Sequence, residues 1–167
     1  PVADPDPALV LRPAREGGTG VAAFNVIQLE HAEAYATAAE AAGLPVVMQI
    51  SENCVRYHGG LAPIARATQA IAASATVPVA VHLDHATDVG LVTEAIELGF
   101  DSVMYDGAHL AYDVNCQTTA EVVRSAHNRG IAVEAELGEI GGKERSHQAE
   151  LRASWTAGDT ALDQHLQ

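Results

Sequence analysis

Apolar and polar positions alternate along this chain between short continuous apolar runs and longer segments in which apolar residues recur every three or four places. Val21-Ala22-Ala23-Phe24-Asn25-Val26 reads as a strand, followed by a helix from about Leu29 to Ala42 that stops at Gly43. Leu44 to Ile50 is a second strand, closed by Ser51-Glu52-Asn53, and residues 61 to 75 have alanine-rich helical periodicity. Val77 to His82 predicts a third strand that runs directly into Asp84 and His85. Asp88 can cap a helix with Leu91, Val92, Ala95 and Leu98 on one side, and Ser102-Val103-Met104-Tyr105 is a fourth strand. A helix starting at Thr118 or Thr119, with Val122, Val123 and Ala126 inward, stops at Gly130, and Ile131 to Leu137 makes a fifth strand. Ahead of this pattern, Leu9, Val10 and Leu11 fall in one short helix before Gly17-Gly18-Thr19-Gly20.

Three junctions share one form, in which a helix meets a glycine, one or two apolar residues, and then a strand. They are Ala42-Gly43-Leu44-Pro45, Leu98-Gly99-Phe100 and Arg129-Gly130-Ile131, each placing glycine where the chain reverses with positive φ. Alternating strands and helices imply right-handed βαβ units and a parallel sheet. An open doubly wound sheet and a (β/α)₈ TIM barrel both satisfy that pattern. No GxGxxG follows the first strand and no GxxxxGK[ST] occurs, which removes support for nucleotide-binding open sheets. The barrel also accounts for polar residues at the C-terminal ends of successive strands: Asn25, Ser51, Asp84 with His85, Asp106, and Glu134 with Glu136. A full barrel needs roughly 250 residues. The expectation is therefore a single partial TIM-barrel domain over residues 1–167, holding about the first five βα units, with a tail at 145–167 that departs from the pattern.

Composition narrows the partners. The chain is 48% hydrophobic, enough for a real core. Its net charge of −13, with 22 acidic residues against 9 basic ones, argues against nucleic acid or an anionic membrane as partner. Cys54 and Cys116 form no CxxC pair, and no run of 18 apolar residues or basic, apolar leader is visible. A cytoplasmic protein with a small-molecule substrate is expected, and the exposed edges of a half-barrel predict self-association into a homo-oligomer.

The chemistry should sit where the third strand ends. Asp84 at the end of a buried strand needs a local partner, because an isolated carboxylate in apolar surroundings costs several kcal/mol. Adjacent Asp84 and His85 at a barrel's upper rim supply both a proton acceptor and a metal ligand. His82 shares strand parity with Asp84 and is expected to be buried beneath the site. Glu134 and Glu136 project to one face of a strand whose two faces should both be covered, so a cation or a polar network is expected there. Asp106, in Tyr105-Asp106-Gly107, fits a turn residue and a functional one equally well. The loop Gly138-Glu139-Ile140-Gly141-Gly142-Lys143-Glu144 has glycines enough to close over a substrate and bring in Glu144. Lys143 is the only lysine and lies on this loop rather than in a strand, which argues against iminium chemistry and for metal-assisted carbonyl chemistry.

Two long segments then carry a resemblance. Val79-Ala80-Val81-His82-Leu83-Asp84-His85-Ala86 and Val133-Glu134-Ala135-Glu136-Leu137-Gly138-Glu139-Ile140-Gly141-Gly142-Lys143-Glu144 resemble the two signatures of the class II, zinc-dependent ketose-bisphosphate aldolases. Ala23-Phe24-Asn25-Val26, Gln49-Ile50-Ser51-Glu52 and Ser102 to His109 also fall where that family has equivalents. The resemblance implies a lyase that reversibly cleaves fructose 1,6-bisphosphate to dihydroxyacetone phosphate and glyceraldehyde 3-phosphate. It implies Zn2+, with room for a second divalent cation. By position, His85 would be a zinc ligand, Asp106 and Glu136 would hold a second or alternative metal position, and Asn25 and Ser51 would contact substrate. Asp84 would exchange the proton of the C4 hydroxyl, and Glu144 the proton at C3. The family's two other zinc histidines and its phosphate-binding loops come from the sixth strand onward and have no match here. Tagatose-bisphosphate and related ketose-bisphosphate aldolases share the early motifs, and a catalytically inactive half-barrel is the rival reading.

Overall fold

The computed structural model of the chain describes residues 7–138. Helix α1 (Pro7–Glu16) leads into four strand-helix units and a fifth strand: β1 (Ala22–Asn25), α2 (Leu29–Ala42), β2 (Val46–Ser51), α3 (Glu52–His58), α4 (Ala62–Ser74), β3 (Val79–Ala86), α5 (Val89–Leu98), β4 (Ser102–Tyr105), α6 (Tyr112–His127) and β5 (Ala132–Ala135). The strands lie in one parallel sheet in the order of the sequence, β1-β2-β3-β4-β5. Sequential parallel order with helices between successive strands is the arrangement of a (β/α)₈ barrel, of which this is part.

The two faces of the sheet differ in chemistry. Met48, Ile50, Val81, Leu83 and Val103 face the helices and share one cluster with Ala32, Ile64, Leu91, Val92 and Val122. Burying a side chain such as Leu83 or Ile50 stabilises the fold by roughly 1.5–3 kcal/mol. The opposite parity carries polar groups, with Gln49 in register with His82 and His82 in register with Ser102. This inner face is the one that a barrel turns toward its axis.

At the base of the sheet Asp101 joins three strands. Its carboxylate Oδ2 accepts from the Val81 N–H at 2.6 Å, its own N–H donates to Val81 O, and its carbonyl accepts from Ala132 N–H. The side chain is buried, and Oδ1 has no hydrogen-bond partner among the described residues.

The three junction glycines adopt positive φ, 64° at Gly43, 79° at Gly99 and 72° at Gly130, as the sequence requires. Several boundaries differ from the sequence reading. A short helix, α3, follows β2 where only a closing turn was expected; Ser51 Oγ accepts from Cys54 N–H at its start, and Gly59 ends it with φ 75°. Helix α6 begins six residues before Thr118, and no side chain caps it. Its first turn is anchored instead by the buried Asn115. Strand β3 continues to Ala86, past His82, because its last residues keep pairing with β2 and β4.

Candidate functional site

The register of β3 against β4 changes within the segment that ends in Asp84 and His85. Leu83 pairs with Val103 and Ala86 with Tyr105, so two residues, Asp84 and His85, stand opposite the single residue Met104. This is a β-bulge, and it is built with His85 at φ 48°, the one non-glycine positive φ among the described residues. In a regular strand adjacent side chains point to opposite faces. Here the extra residue lets both work on the inner side: Asp84 meets Gln49 of β2, and His85 meets Asp106 and Glu136 beyond β4 and β5.

Three side chains converge at the C-terminal ends of these strands. His85 Nδ1 lies 3.0 Å from Asp106 Oδ2 and 3.2 Å from Glu136 Oε2. Asp106 is set by its own backbone, whose N–H donates to Ala86 O at 2.8 Å, and its Oδ1 accepts from Ala108 N–H. The two carboxylates are largely buried while the imidazole is 41% exposed. Burial alone would lower the His85 pKa, but the Asp106 hydrogen bond and the charges of Asp84 and Glu136 outweigh it and raise it.

One imidazole nitrogen carries at most one proton, yet two carboxylate oxygens approach Nδ1 together. A divalent cation answers the same arrangement with several coordination positions. One donor atom from each residue lies within 4.8 Å of the others. Ligands about 2.1 Å from a tetrahedral zinc stand about 3.4 Å apart, close to the separations seen here. A nitrogen with two carboxylate oxygens suits zinc and other borderline or hard divalent ions. The residues present therefore fit such an ion.

Asp84 accepts a hydrogen bond on Oδ1 from Gln49 Nε2 at 2.8 Å. The loop after β3 is fixed by Glu52, whose Oε2 accepts from both the N–H and the hydroxyl of Thr87. Beneath the site His82 is buried as expected, with Nδ1 2.7 Å from Ser102 Oγ. Its Nε2 is 3.8 Å from Glu134, and burial lowers the His82 pKa despite the charges of Glu134 and Asp84.

The sequence reading had both faces of the fifth strand covered. Instead the Glu134 side chain is 63% exposed, because β5 is the outer strand of the described sheet and nothing described closes over it. Ser51 stands in register with Asp84, its Oγ engaged as the cap of α3. Asn25 ends β1 in register with Gln49, and its carbonyl accepts from Tyr35 OH. Glu144 and Lys143 lie outside the described residues. Gln49, Glu52 and Asn115 were not singled out as site residues from sequence. For Gln49 a signal existed, since it is the polar residue in Val46-Val47-Met48-Gln49-Ile50 and shares parity with Ser51.

Fold and site together define a (β/α)-barrel segment with an imidazole and carboxylate cluster at the carboxyl ends of its strands, where barrel enzymes place their chemistry. The family described as fructose-bisphosphate aldolase class-II matches residues 7–164. The chain belongs to that family. It is 42% identical over 137 residues to a probable fructose-bisphosphate aldolase of Bacillus subtilis, covering 81% of this chain and 48% of the relative. It is 39% identical over 133 residues to a fructose-bisphosphate aldolase of Staphylococcus aureus, covering 78% and 46%. The crystal structure of a putative fructose-1,6-biphosphate aldolase from Coccidioides immitis superposes with a TM-score of 0.77 at 32% identity, over 85% of this chain and 49% of that one. The YdjI aldolase of Escherichia coli K12 does so with a TM-score of 0.73 at 30% identity, over 81% and 52%. The chain thus spans about half the length of the relatives it matches.

Proposed function

We propose that this chain supplies the divalent-metal and proton-transfer part of a ketose-bisphosphate aldolase that reversibly cleaves fructose 1,6-bisphosphate to dihydroxyacetone phosphate and glyceraldehyde 3-phosphate. The observation that carries this reading is the convergence of His85, Asp106 and Glu136 beside Asp84 on the inner face of the sheet. In this proposal His85, Asp106 and Glu136 hold Zn2+, and a second divalent cation can use the same carboxylates. The ion supplies Lewis-acid polarisation of the ketose carbonyl.

The chain's own residues then handle protons and orientation. Asp84 takes the proton of the C4 hydroxyl as the C3–C4 bond breaks and returns it in the condensation direction. Gln49 holds that carboxylate from the neighbouring strand, so its acceptor oxygen stays aimed while the hydroxyl approaches. Glu144 moves the proton at C3, and Asn25 and Ser51 contact substrate. Tagatose bisphosphate is the rival substrate within the same chemistry.

The coverage of about half of each relative favours a second reading, in which the chain binds metal but is inactive alone. Metal content and bisphosphate cleavage, measured with and without chelator, separate the two. Chelator-sensitive cleavage supports the first reading, bound zinc without turnover the second, and neither zinc nor turnover overturns both. Chelator-insensitive turnover would mean a barrel enzyme using Asp84 without zinc.

The proposal also includes a cytoplasmic location and self-association. None of the described helices is long and apolar enough to cross a membrane. Strands β1 and β5 are the outer strands of the described sheet, and Phe24 on β1 is 45% exposed beside an apolar groove lined by Tyr35, Ala38, Leu44 and Pro45. Static light scattering at a mass above 17.4 kDa is expected; a monodisperse monomer overturns it.

A further inference from the structure

The ladder between β4 and β5 ends at Tyr105 and Ala135, one residue short of Glu136. Beyond the ladder, the Glu136 carbonyl accepts a bond from a side chain of another element. Asn115, in the first turn of α6, is 3% exposed, and its Nδ2 donates to the Glu136 carbonyl at 2.9 Å. The carboxamide is held at its other end too, where Oδ1 accepts from Thr119 Oγ1 at 3.1 Å. This fixes its orientation, since Thr119 donates to the oxygen and Glu136 receives from the nitrogen. Space for the carboxamide exists because residue 107 is glycine. A Cβ there would come within 2.3 Å of Asn115 Oδ1. The same side chain therefore abuts the turn that follows Asp106 and anchors the strand end that carries Glu136.

We propose that Asn115 is a positioning residue for the divalent-metal site, extending the β4–β5 ladder by one bond so that Glu136 meets His85. The inference rests on the metal reading of His85, Asp106 and Glu136. A buried amide is a costly way to fill this space, because both its polar ends must be matched. An apolar side chain would pack there without that requirement. It would leave the Glu136 carbonyl without this donor and let the strand end drift, and a drift of about 1 Å is enough to spoil a coordination shell. Groups that orient metal ligands without touching the ion typically change affinity by about 10–100-fold.

The test uses the full 167-residue chain and Co(II) as probe, with affinity from competition titration and coordination from the visible spectrum. Asn115→Leu is expected to weaken Co(II) binding about 10–100-fold and to alter the spectrum. Thr119→Val, which removes only the hydroxyl orienting the carboxamide, should do so to a smaller degree. The deciding measurement is a double-mutant cycle with Glu136→Gln. If Asn115 acts through Glu136, adding Asn115→Leu to Glu136→Gln costs little further affinity. Equal losses in both backgrounds would mean a general loosening of the fold and would overturn the proposal, as would unchanged affinity and spectrum in Asn115→Leu. A wild-type chain that binds no Co(II) would instead overturn the metal reading on which the proposal stands.

Discussion

The Gln49 carboxamide nitrogen lies 2.8 Å from the Asp84 carboxylate, a bond between adjacent strands that joins residues 35 apart in sequence. A hydrogen bond to a partly buried carboxylate is worth more than a neutral one, and removing its donor leaves the charge to be solvated in a confined place. Gln49→Leu is therefore expected to cost about 1–2 kcal/mol of stability. Urea unfolding of the two proteins measures this, and an unchanged midpoint would show that the bond does no more than water does.

The left-handed backbone at His85 gives a second prediction. Its φ of 48° suits glycine, and a side chain there costs of order 1 kcal/mol or more. In metal-free protein His85→Gly should be more stable than His85→Ala by about 1 kcal/mol, although both lose the imidazole. Equal stabilities would mean that the bulge relaxes when the imidazole leaves.

Asp101 makes stability depend on pH. Burial pushes its pKa from 3.8 up to about 6, against the lowering effect of the Val81 N–H bond. The folded state therefore holds this proton more tightly than the unfolded state does. The stabilisation is fully present below pH 3.8 and is lost as pH rises through about 6, at an order-of-magnitude cost of about 3 kcal/mol. Asp101→Asn keeps an acceptor for Val81 and cannot ionise. Between pH 5 and 7.5 the variant should lose less stability than the wild type, as read from unfolding midpoints at each pH. Parallel pH profiles would sink the assignment.

Metal addition should stabilise the chain if the cluster holds an ion. At a free zinc concentration 100 times the dissociation constant the gain is about 2.7 kcal/mol, which raises Tm by roughly 5–10 °C for a chain of this size. Chelator should reverse the shift, and Asp106→Asn or Glu136→Gln should shrink it. A Tm indifferent to zinc in the wild type contradicts the proposed site.

Much of this architecture can be read from the chain, because its signals are local. Apolar runs bounded by Gly43, Gly99 and Gly130 announce strands that follow helices, and each of those glycines takes the backbone conformation that only glycine adopts cheaply. The short helix α3 escaped because seven residues carry too little periodicity, although Ser51 before it and Gly59 after it are ordinary end signals. The start of α6 escaped for a different reason: its first turn is stabilised by Asn115 reaching the Glu136 carbonyl 21 residues away, a tertiary contact with no local trace. The site shows the same division. Asp84 and His85 stand out as a pair, but alternation along a strand puts neighbours on opposite faces, and nothing in Leu83-Asp84-His85-Ala86 discloses the bulge that lets both face inward. Asp106, balanced between turn and function on sequence, is drawn into the cluster by its backbone bond to Ala86.

The bulge in β3 has a mechanical corollary. The side chain proposed to shuttle a proton and the one proposed to grip the ion hang from consecutive α-carbons, about 3.8 Å apart across one rigid peptide plane. Thermal breathing of the surrounding staves can tilt that plane but cannot stretch it. The two α-carbons therefore keep a separation set by covalent bonds, while the bulge and the contacts with Gln49 and Asp106 decide where the two side chains point.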